Sequence, residues 1–390
     1  MNYHLHTQQI KAGDGFICLP GGEPYIEEAL SKNVSEVLKL SRTQLAIFAN
    51  NLFKNPSHQL TVIGVTGTNG KTTVTSLVHQ ALIQNGYKSA IQGTLTSSLT
   101  TPESFHTLQN MARHLKEGGT HYVMEVSSHA IDQGRIFGID FDVRLLTNIT
   151  QDHLDYHKTF EAYKATKLRF LDSHVPNSIY PHQFEEIPLY FQTPLLGTFN
   201  LKNMQAAIAI LRQCGLCDPD IATALSQAKA PPGRFESIQC GQLFSVIVDY
   251  AHTPDGLENC LREARKLAKS HRLLLMFGCG GNRDVTKRPL MAKMAEKYAD
   301  RILVTSDNPR HEDPDQIIKD ILAGFSQKAH VTVCSQRQKA IYQIIDLASP
   351  NDVVILAGKG HETTQTIGDT TYPFDDRYEA KAALAMRGFL

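Results

Sequence analysis

The 390-residue sequence has no excess of charge of either sign: 39 lysines and arginines meet 39 aspartates and glutamates. With no net field to gather a polyanion, nucleic-acid binding and attraction to an anionic membrane surface are excluded as organising functions, and any anionic ligand must be held by local groups. No apolar run approaches the ~20 residues that span a bilayer. The opening MNYHLHTQQIKAGDG lacks the basic-then-apolar order of a secretory leader, so a cytoplasmic protein that does not insert in a membrane is expected. Cysteine is scattered, at Cys18, Cys214, Cys217, Cys240, Cys260, Cys279 and Cys334, which is no disulfide framework. The one close pair, CGLC at 214–217, has no second Cys or His pair at zinc-ligand spacing and is read as a helix end with two small apolar side chains. Internal repeats and low-complexity tracts are absent.

What is present is an alternation of β-rich apolar runs with amphipathic stretches. TVIGV at 61–65 is followed by a helix over 71–85, then come HYVMEV, VRLLTNIT and a helix over 159–172. After APPGRFES a second series begins: FSVIVDY, helix 255–269, RLLLMFG, helix 287–298, RILVTSD, helix 314–325, VTVCS, helix 336–348 and DVVILAG. Strands separated by helices predict α/β domains with doubly wound parallel sheets. The length is too great for one core, and the sequence divides into a small cap over 1–58, a central domain over 59–231 and a third over 232–390. Pro231-Pro232-Gly233 stiffens and then frees the chain, a pattern suited to a hinge.

TVIGVTGTNGKTTVTSL places a buried strand, a glycine-rich turn and Lys71-Thr72-Thr73 at a helix start. Backbone N–H groups of such a turn cradle phosphate, the lysine adds a point charge and the Thr72 hydroxyl suits Mg²⁺, so Gly67, Thr68, Asn69, Gly70, Lys71, Thr72 and Thr73 are expected to bind ATP. The spacing departs from a strict Walker A motif: Val65 stands where the first glycine belongs, and Gly64 lies one residue too early. Glu125 ends the next strand, on the rim where ligands bind open α/β sheets, and a carboxylate beside a triphosphate is a magnesium ligand; a capping or ion-paired glutamate is the alternative. His153 follows a third strand in a polar cluster, where a structural imidazole is the alternative. In VTSDNPRHEDPDQI, Pro309 fixes its own φ and disfavours helix at Asn308, presenting Arg310 from a rigid turn suited to a carboxylate.

GVTGTNGKTT, EVSSH, TNITQDHLDYH, EAYKATKLRF, FNLKNMQAA, PPGRFE, VDYAHTPDGL, GCGGNRDVTKRPLM, SDNPR and AGKGHE occur in the order found in the Mur ligases. The chain resembles that family over about residues 10 to 390, most closely the branch that adds the third amino acid of the peptidoglycan stem. The resemblance implies three domains: a substrate-capping N-terminal piece, a central P-loop ATPase domain and a C-terminal Rossmann-like domain. It implies an ADP-forming acid–amino-acid ligase in which a substrate carboxylate attacks the γ-phosphate of ATP, giving an acyl phosphate from which an amine displaces phosphate. Lys71 and Thr72 then hold phosphates and Mg²⁺, Glu125 and His153 a second Mg²⁺. Lys167 matches the family's carbamylated lysine, formed with CO₂; read alone, it is a surface helix lysine. Asn200, Arg234, Tyr250 and His252 match nucleotide-binding positions. Thr100, Thr101, Ser127, Gln133 and Arg135 match positions for a UDP-muramoyl dipeptide. Arg288, Asp307, Asn308, Arg310, Gly358 and Glu362 match amino-acid contacts for meso-diaminopimelate, with Glu362 taking its distal ammonium. No residue is assigned as base for the amine, and a monomer is expected.

The chain is short for the family in two places. The region before KAGDGFICLPGG leaves no room for a segment that helps to hold uridine, and only residues 168–196 separate Lys167 from Gly197. Two other functions therefore stand beside the leading one: a ligase of the same fold that joins a diamino acid to a smaller, UDP-free carboxylate, and a non-catalytic nucleotide-binding paralogue. Retention of Lys71, Thr72, Glu125, His153 and Lys167 speaks against the second.

Overall fold

The structure, a computed structural model, describes residues 2–150, 152–171, 177–193 and 195–389. It divides into two compact units, Met1–Gln192 with Lys202–Ala228, and Thr193–Leu201 with Lys229–Leu390.

The first unit opens with a three-stranded parallel sheet of β1 (Tyr3–His4), β2 (Gly15–Cys18) and β3 (Glu36–Lys39), in that order. Of these, the apolar run of β2 is the strand legible from sequence. Short helix α1 (Ile26–Ser31) precedes β3, and α2 (Arg42–Phe53) follows it. Helix α2 starts at a reciprocal cap in which Ser41 accepts from the Gln44 amide and the Gln44 side chain accepts from the Ser41 amide. Ile10, Phe16, Cys18 and Ala29 form a small apolar cluster of the cap. Ile17, Leu45 and Ala49 instead join the core built from Leu60, Val62, Phe105 and Met124. The cap thus keeps only a small cluster of its own and completes a neighbour's core.

That neighbour is a five-stranded, fully parallel sheet of β4 (Thr61–Thr66), β5 (Ser89–Gln92), β6 (His121–Glu125), β7 (Val143–Leu146) and β8 (Ser178–Ile179) in the order β5-β6-β4-β7-β8. Helices α3 (Lys71–Gln84), α4 (Ser104–Lys116), α5 (Ser128–Asp132), α6 (Leu154–His157) and α7 (Phe160–Phe170) connect the strands; α8 (Thr198–Gln213) and α9 (Asp218–Ser226) follow. The helix expected over 159–172 ends at Phe170, and residue 172 lies outside the described residues. Gly64 has a packing role in mid-strand: a Cβ there would lie 2.6 Å from the Phe170 ring and 2.7 Å from that of Phe141. Its early position relative to a Walker A motif is thereby explained, since it serves the core and not the phosphate turn. Cys214 is half-buried after α8, whereas Cys217 is exposed at the start of α9 and donates to Asp220 at 3.0 Å, so the expected pair of small apolar side chains holds only for Cys214. All seven thiols are free.

The second unit is a six-stranded sheet of β9 (Glu236–Ile238), β10 (Ser245–Asp249), β11 (Leu273–Phe277), β12 (Arg301–Val304), β13 (Val331–Val333) and β14 (Val353–Ala357) in the order β13-β12-β11-β14-β10-β9. All neighbours are parallel except β9, which runs antiparallel to β10. Helices α10 (Pro254–Ala268), α11 (Lys287–Tyr298) and α12 (Pro314–Leu322) cover one face, and α13 (Arg337–Asp346) and α14 (Asp376–Met386) the other. The sheet is therefore apolar on both faces, which is why its strands read as continuous hydrophobic runs. A hairpin of β15 (Thr364–Ile367) and β16 (Thr370–Pro373) lies outside this sheet and was not legible as such in sequence. Gly233 has φ +64°, and a Cβ on it would lie 2.0 Å from the Gly360 carbonyl carbon. This glycine packs within the second unit, in its longer stretch Lys229–Leu390.

Candidate active site

The turn after β4 is shaped from the end of β7. Gly67 has φ +147°, with its Cα so close to Thr147 that a Cβ would sit 1.8 Å from Oγ1. The Thr68 amide donates to the Asn148 carbonyl at 2.9 Å, and the Asn69 amide to the Asn148 side chain at 3.0 Å. Thr147 donates to the Asn69 carbonyl at 2.6 Å. Thr72 and Thr73 are buried in the first turn of α3, at the positive end of its dipole. Lys71 Nζ donates to the carbonyls of Gly67 (2.8 Å) and Thr68 (2.9 Å).

Lys167 reaches the same Gly67 carbonyl, at 2.9 Å, from α7. It is 1 % exposed, so the surface-lysine reading is overturned. Burial, reinforced by the nearby Lys71 charge, pushes its amine down to about 6, leaving it mostly neutral at pH 7. Glu125, also buried, accepts from the Thr72 hydroxyl at 3.1 Å and from the Thr94 amide at 2.9 Å. Gly93 makes room for it, since a Cβ there would lie 2.3 Å from Glu125 Oε1. His153 is exposed, has φ +54° and lies 3.4 Å from Asp152, its ring edge-on to His129 at 4.8 Å. Among the described residues no three His, Cys, Asp or Glu side chains converge as a preformed metal site.

The residues expected to meet a muramoyl peptide form one cluster. Thr101 donates to the Glu125 carbonyl at 2.9 Å and accepts from the Ser127 amide at 3.0 Å. Thr100 lies 3.2 Å from Thr94. Arg135 donates to the Thr101 carbonyl at 3.1 Å and to Gln133 at 3.0 Å. Glu103, from the same TTPES stretch at 100–104, lies 3.6 Å from Arg135 and pairs with Arg42 at 3.0 Å.

In the second unit, Arg234 lies over the Tyr250 ring at 4.7 Å, with His252 at 4.5 Å and His361 at 4.8 Å from the same ring. His361 is a further member not singled out from sequence; burial and the Arg234 charge push it down to about 4. Asn200 is buried and donates to the Leu196 carbonyl at 2.6 Å.

The amino-acid rim is a braced network. Asn308 donates to Glu362 at 2.8 Å and accepts from Lys359 at 3.2 Å and the Thr366 amide at 3.0 Å. Lys359, fully buried, pairs with Glu362 at 2.9 Å. Gly358 has φ +115° and packs on Asp307, whose Oδ2 a Cβ would approach to 2.7 Å. Arg310 adopts φ +52°, a left-handed conformation costing a non-glycine residue about 1 kcal/mol, and donates to the Gly281 carbonyl at 2.7 Å. Arg288 departs from the expected role. It is 1 % exposed and forked between Glu312 (2.7 Å) and Asp320 (2.8 Å), so its two terminal nitrogens are taken by the protein's own carboxylates. In the same segment Arg283 is exposed. Arg337, also missed, forms a fully buried pair with Asp376 at 2.6 Å and donates to the carbonyls of Ala357 and Ser306.

A parallel sheet with a phosphate turn, followed by a second α/β sheet with a charged rim, is the architecture of ATP-dependent amide ligases. Residues 65–185 match the Mur ligase middle domain and residues 233–360 the Mur ligase glutamate ligase domain. The chain belongs to the Mur ligase family. It is 38% identical over 464 aligned residues to the UDP-N-acetylmuramoyl-L-alanyl-D-glutamate–2,6-diaminopimelate ligase of Geobacillus kaustophilus, covering 98% of this chain and 94% of that one. It is 37% identical to the ligase of that name from Aquifex aeolicus, covering 98% and 93%. A solved structure of a ligase of that name superposes with TM-score 0.64 at 28% identity, covering 100% of this chain and 95% of that one. The 464-residue alignment against a 390-residue chain means that the relative carries segments this chain lacks. No helix among the described residues is long and apolar enough to cross a membrane.

Proposed function

We propose that the protein is an ATP-dependent ligase that joins meso-diaminopimelate to the glutamyl carboxylate of UDP-N-acetylmuramoyl-L-alanyl-D-glutamate in peptidoglycan synthesis. The observation that carries the reading is Lys167: a buried, mostly neutral amine on the phosphate turn, in a chain with 37–39% identical relatives of that name. The amides at the start of α3 and Lys71 hold the phosphates of ATP. Asn200, Arg234, Tyr250 and His252 are the second unit's candidate nucleotide-binding residues.

The donor set fits a hard cation: Thr72 and Glu125 already share a 3.1 Å contact and offer oxygen. Thr72, Glu125, His153 and a carboxylated Lys167 would hold Mg²⁺, which when bound supplies charge stabilisation for phosphoryl transfer. The neutral amine of Lys167 is the form that adds CO₂, forming an N–C bond and releasing a proton, and so turns an uncharged nitrogen into an anionic oxygen ligand. Thr100, Thr101, Ser127, Gln133 and Arg135 orient the acceptor carboxylate, which becomes an acyl phosphate before the amine displaces phosphate. Arg310 takes the distal carboxylate of the amino acid and Glu362 its ammonium. Arg288 acts as a brace, and Arg283 is the exposed guanidinium of that loop.

Phosphate release tests the reading with a panel of acceptors at fixed ATP, Mg²⁺ and meso-diaminopimelate. Release is expected with the UDP-muramoyl dipeptide. Release with a UDP-free carboxylate alone would move the substrate to the smaller-acceptor ligase, and ATP binding with no release for any acceptor would make the chain a non-catalytic paralogue.

A further inference from the structure

We infer that the hairpin β15–β16 is a positioning element for the amino-acid rim, and that Gln365 and Thr366 hold the Asp307–Arg310 corner in its left-handed form. The inference rests on the ligase reading above.

The hairpin adds nothing to either apolar core of the second unit. None of its residues belongs to those clusters, and β16 is exposed along its whole length. An isolated two-stranded hairpin is marginal in water, so a tertiary contact must hold it in place. That contact is the corner. The Arg310 amide donates to the Thr366 carbonyl at 3.1 Å, and the Gly368 amide donates to the Arg310 carbonyl at 2.7 Å, so Arg310 is gripped on both sides of its own Cα. Gln365 Nε2 donates to the Asp307 carbonyl at 2.6 Å. These bonds fix the backbone of a residue that would otherwise leave a left-handed conformation, and with it the direction of its guanidinium.

The same strand governs the other end of the rim. The Thr366 amide donates to Asn308 Oδ1, as does Lys359, so the Asn308 amide must turn its nitrogen toward Glu362. One strand therefore sets the carboxylate-facing Arg310 and the ammonium-facing Glu362 together. Gln365 touches no reacting atom; it acts through Asp307 and Arg310.

The experiment uses the full chain in two forms: Gln365→Ala, and a variant with 364–373 replaced by two glycines, which the Phe374 amide to Thr363 carbonyl bond of 2.9 Å shows to be bridgeable. Gln365→Ala is expected to raise KM for meso-diaminopimelate about tenfold, with kcat at saturation and KM for ATP unchanged. Gln365→Glu should match it, because a carboxylate cannot donate to a carbonyl. The excision should lower the preference over L-lysine about a hundredfold, and trypsin should cut after Arg310 faster than in the parent protein. Unchanged KM and preference in both variants, with melting temperatures preserved, would overturn the inference. If the parent forms no amide with any amino acid, the ligase reading fails, and the cleavage rate after Arg310 alone decides the clamp: equal rates refute it.

Discussion

Two glycine-rich rims stand at the carboxyl ends of parallel strands, one in each sheet, and they are charged in opposite styles. At the first, Lys71 and Lys167 both turn their amines on the carbonyl of Gly67. At the second, Lys359 meets Glu362, Arg337 meets Asp376, and Arg288 meets Glu312 and Asp320. A rim where the Lys71 cation and the mostly neutral Lys167 amine rest on a carbonyl suits a polyanion, which offers such donors a better acceptor. A rim whose buried cations are matched by carboxylates, while the half-buried Arg310 rests on the Gly281 carbonyl, suits a zwitterion, which must be read at both ends without a large net field. On the proposed reading, phosphate chemistry belongs to the first sheet and amino-acid selection to the second.

The comparison breaks most easily at Lys167. Lys167→Ala should lower kcat about 10²–10³-fold, as loss of a preorganised electrostatic group does, and acetate should restore part of it. Activity equal to the parent would remove the lysine from the chemistry of the first rim. At the second rim, Arg310→Ala should erase a preference for meso-diaminopimelate over L-lysine of roughly 10⁴, chiefly through KM, because a site built to pair a carboxylate rejects the analogue without it. A preference that survived would show that Arg310 does not read the distal end.

A further effect is on stability. In the folded protein Lys167 loses its proton near pH 6, and in the unfolded chain near its ordinary value of 10.5. Between these values the unfolded state binds the extra proton, so burying this residue costs stability, and the cost grows as pH falls from 10.5 toward 6. Lys167→Met should therefore melt higher than the parent at pH 7 in CO₂-free buffer. That advantage should shrink toward pH 9 by on the order of 1.4 kcal/mol per pH unit. A pH-independent difference would show that the amine is not held neutral.

Much of this was legible because buried parallel strands write themselves as continuous runs. RLLLMFG and DVVILAG became β11 and β14, and the turn at Gly67–Gly70 announced itself by its glycines and Lys71. What escaped depended on distant partners. Nothing local in EAYKATKLRF says that Lys167 is buried; the Gly67 carbonyl, a hundred positions away, decides that. Arg288 looked like a ligand because its captors, Glu312 and Asp320, lie on other segments. The hairpin strand TQTI alternates too weakly to stand out, and its pairing with Arg310 is tertiary. Gly64 misled the motif count because it answers to Phe141 and Phe170.

The most direct test of the account is a one-pot competition. Purified protein, ATP and Mg²⁺ are mixed with the UDP-muramoyl dipeptide and equal meso-diaminopimelate and L-lysine, and the products are read by mass spectrometry. The account predicts one product, the acceptor plus one diaminopimelate residue, with one phosphate released per amide formed. A lysine adduct of comparable yield, or phosphate released without any amide, would contradict it.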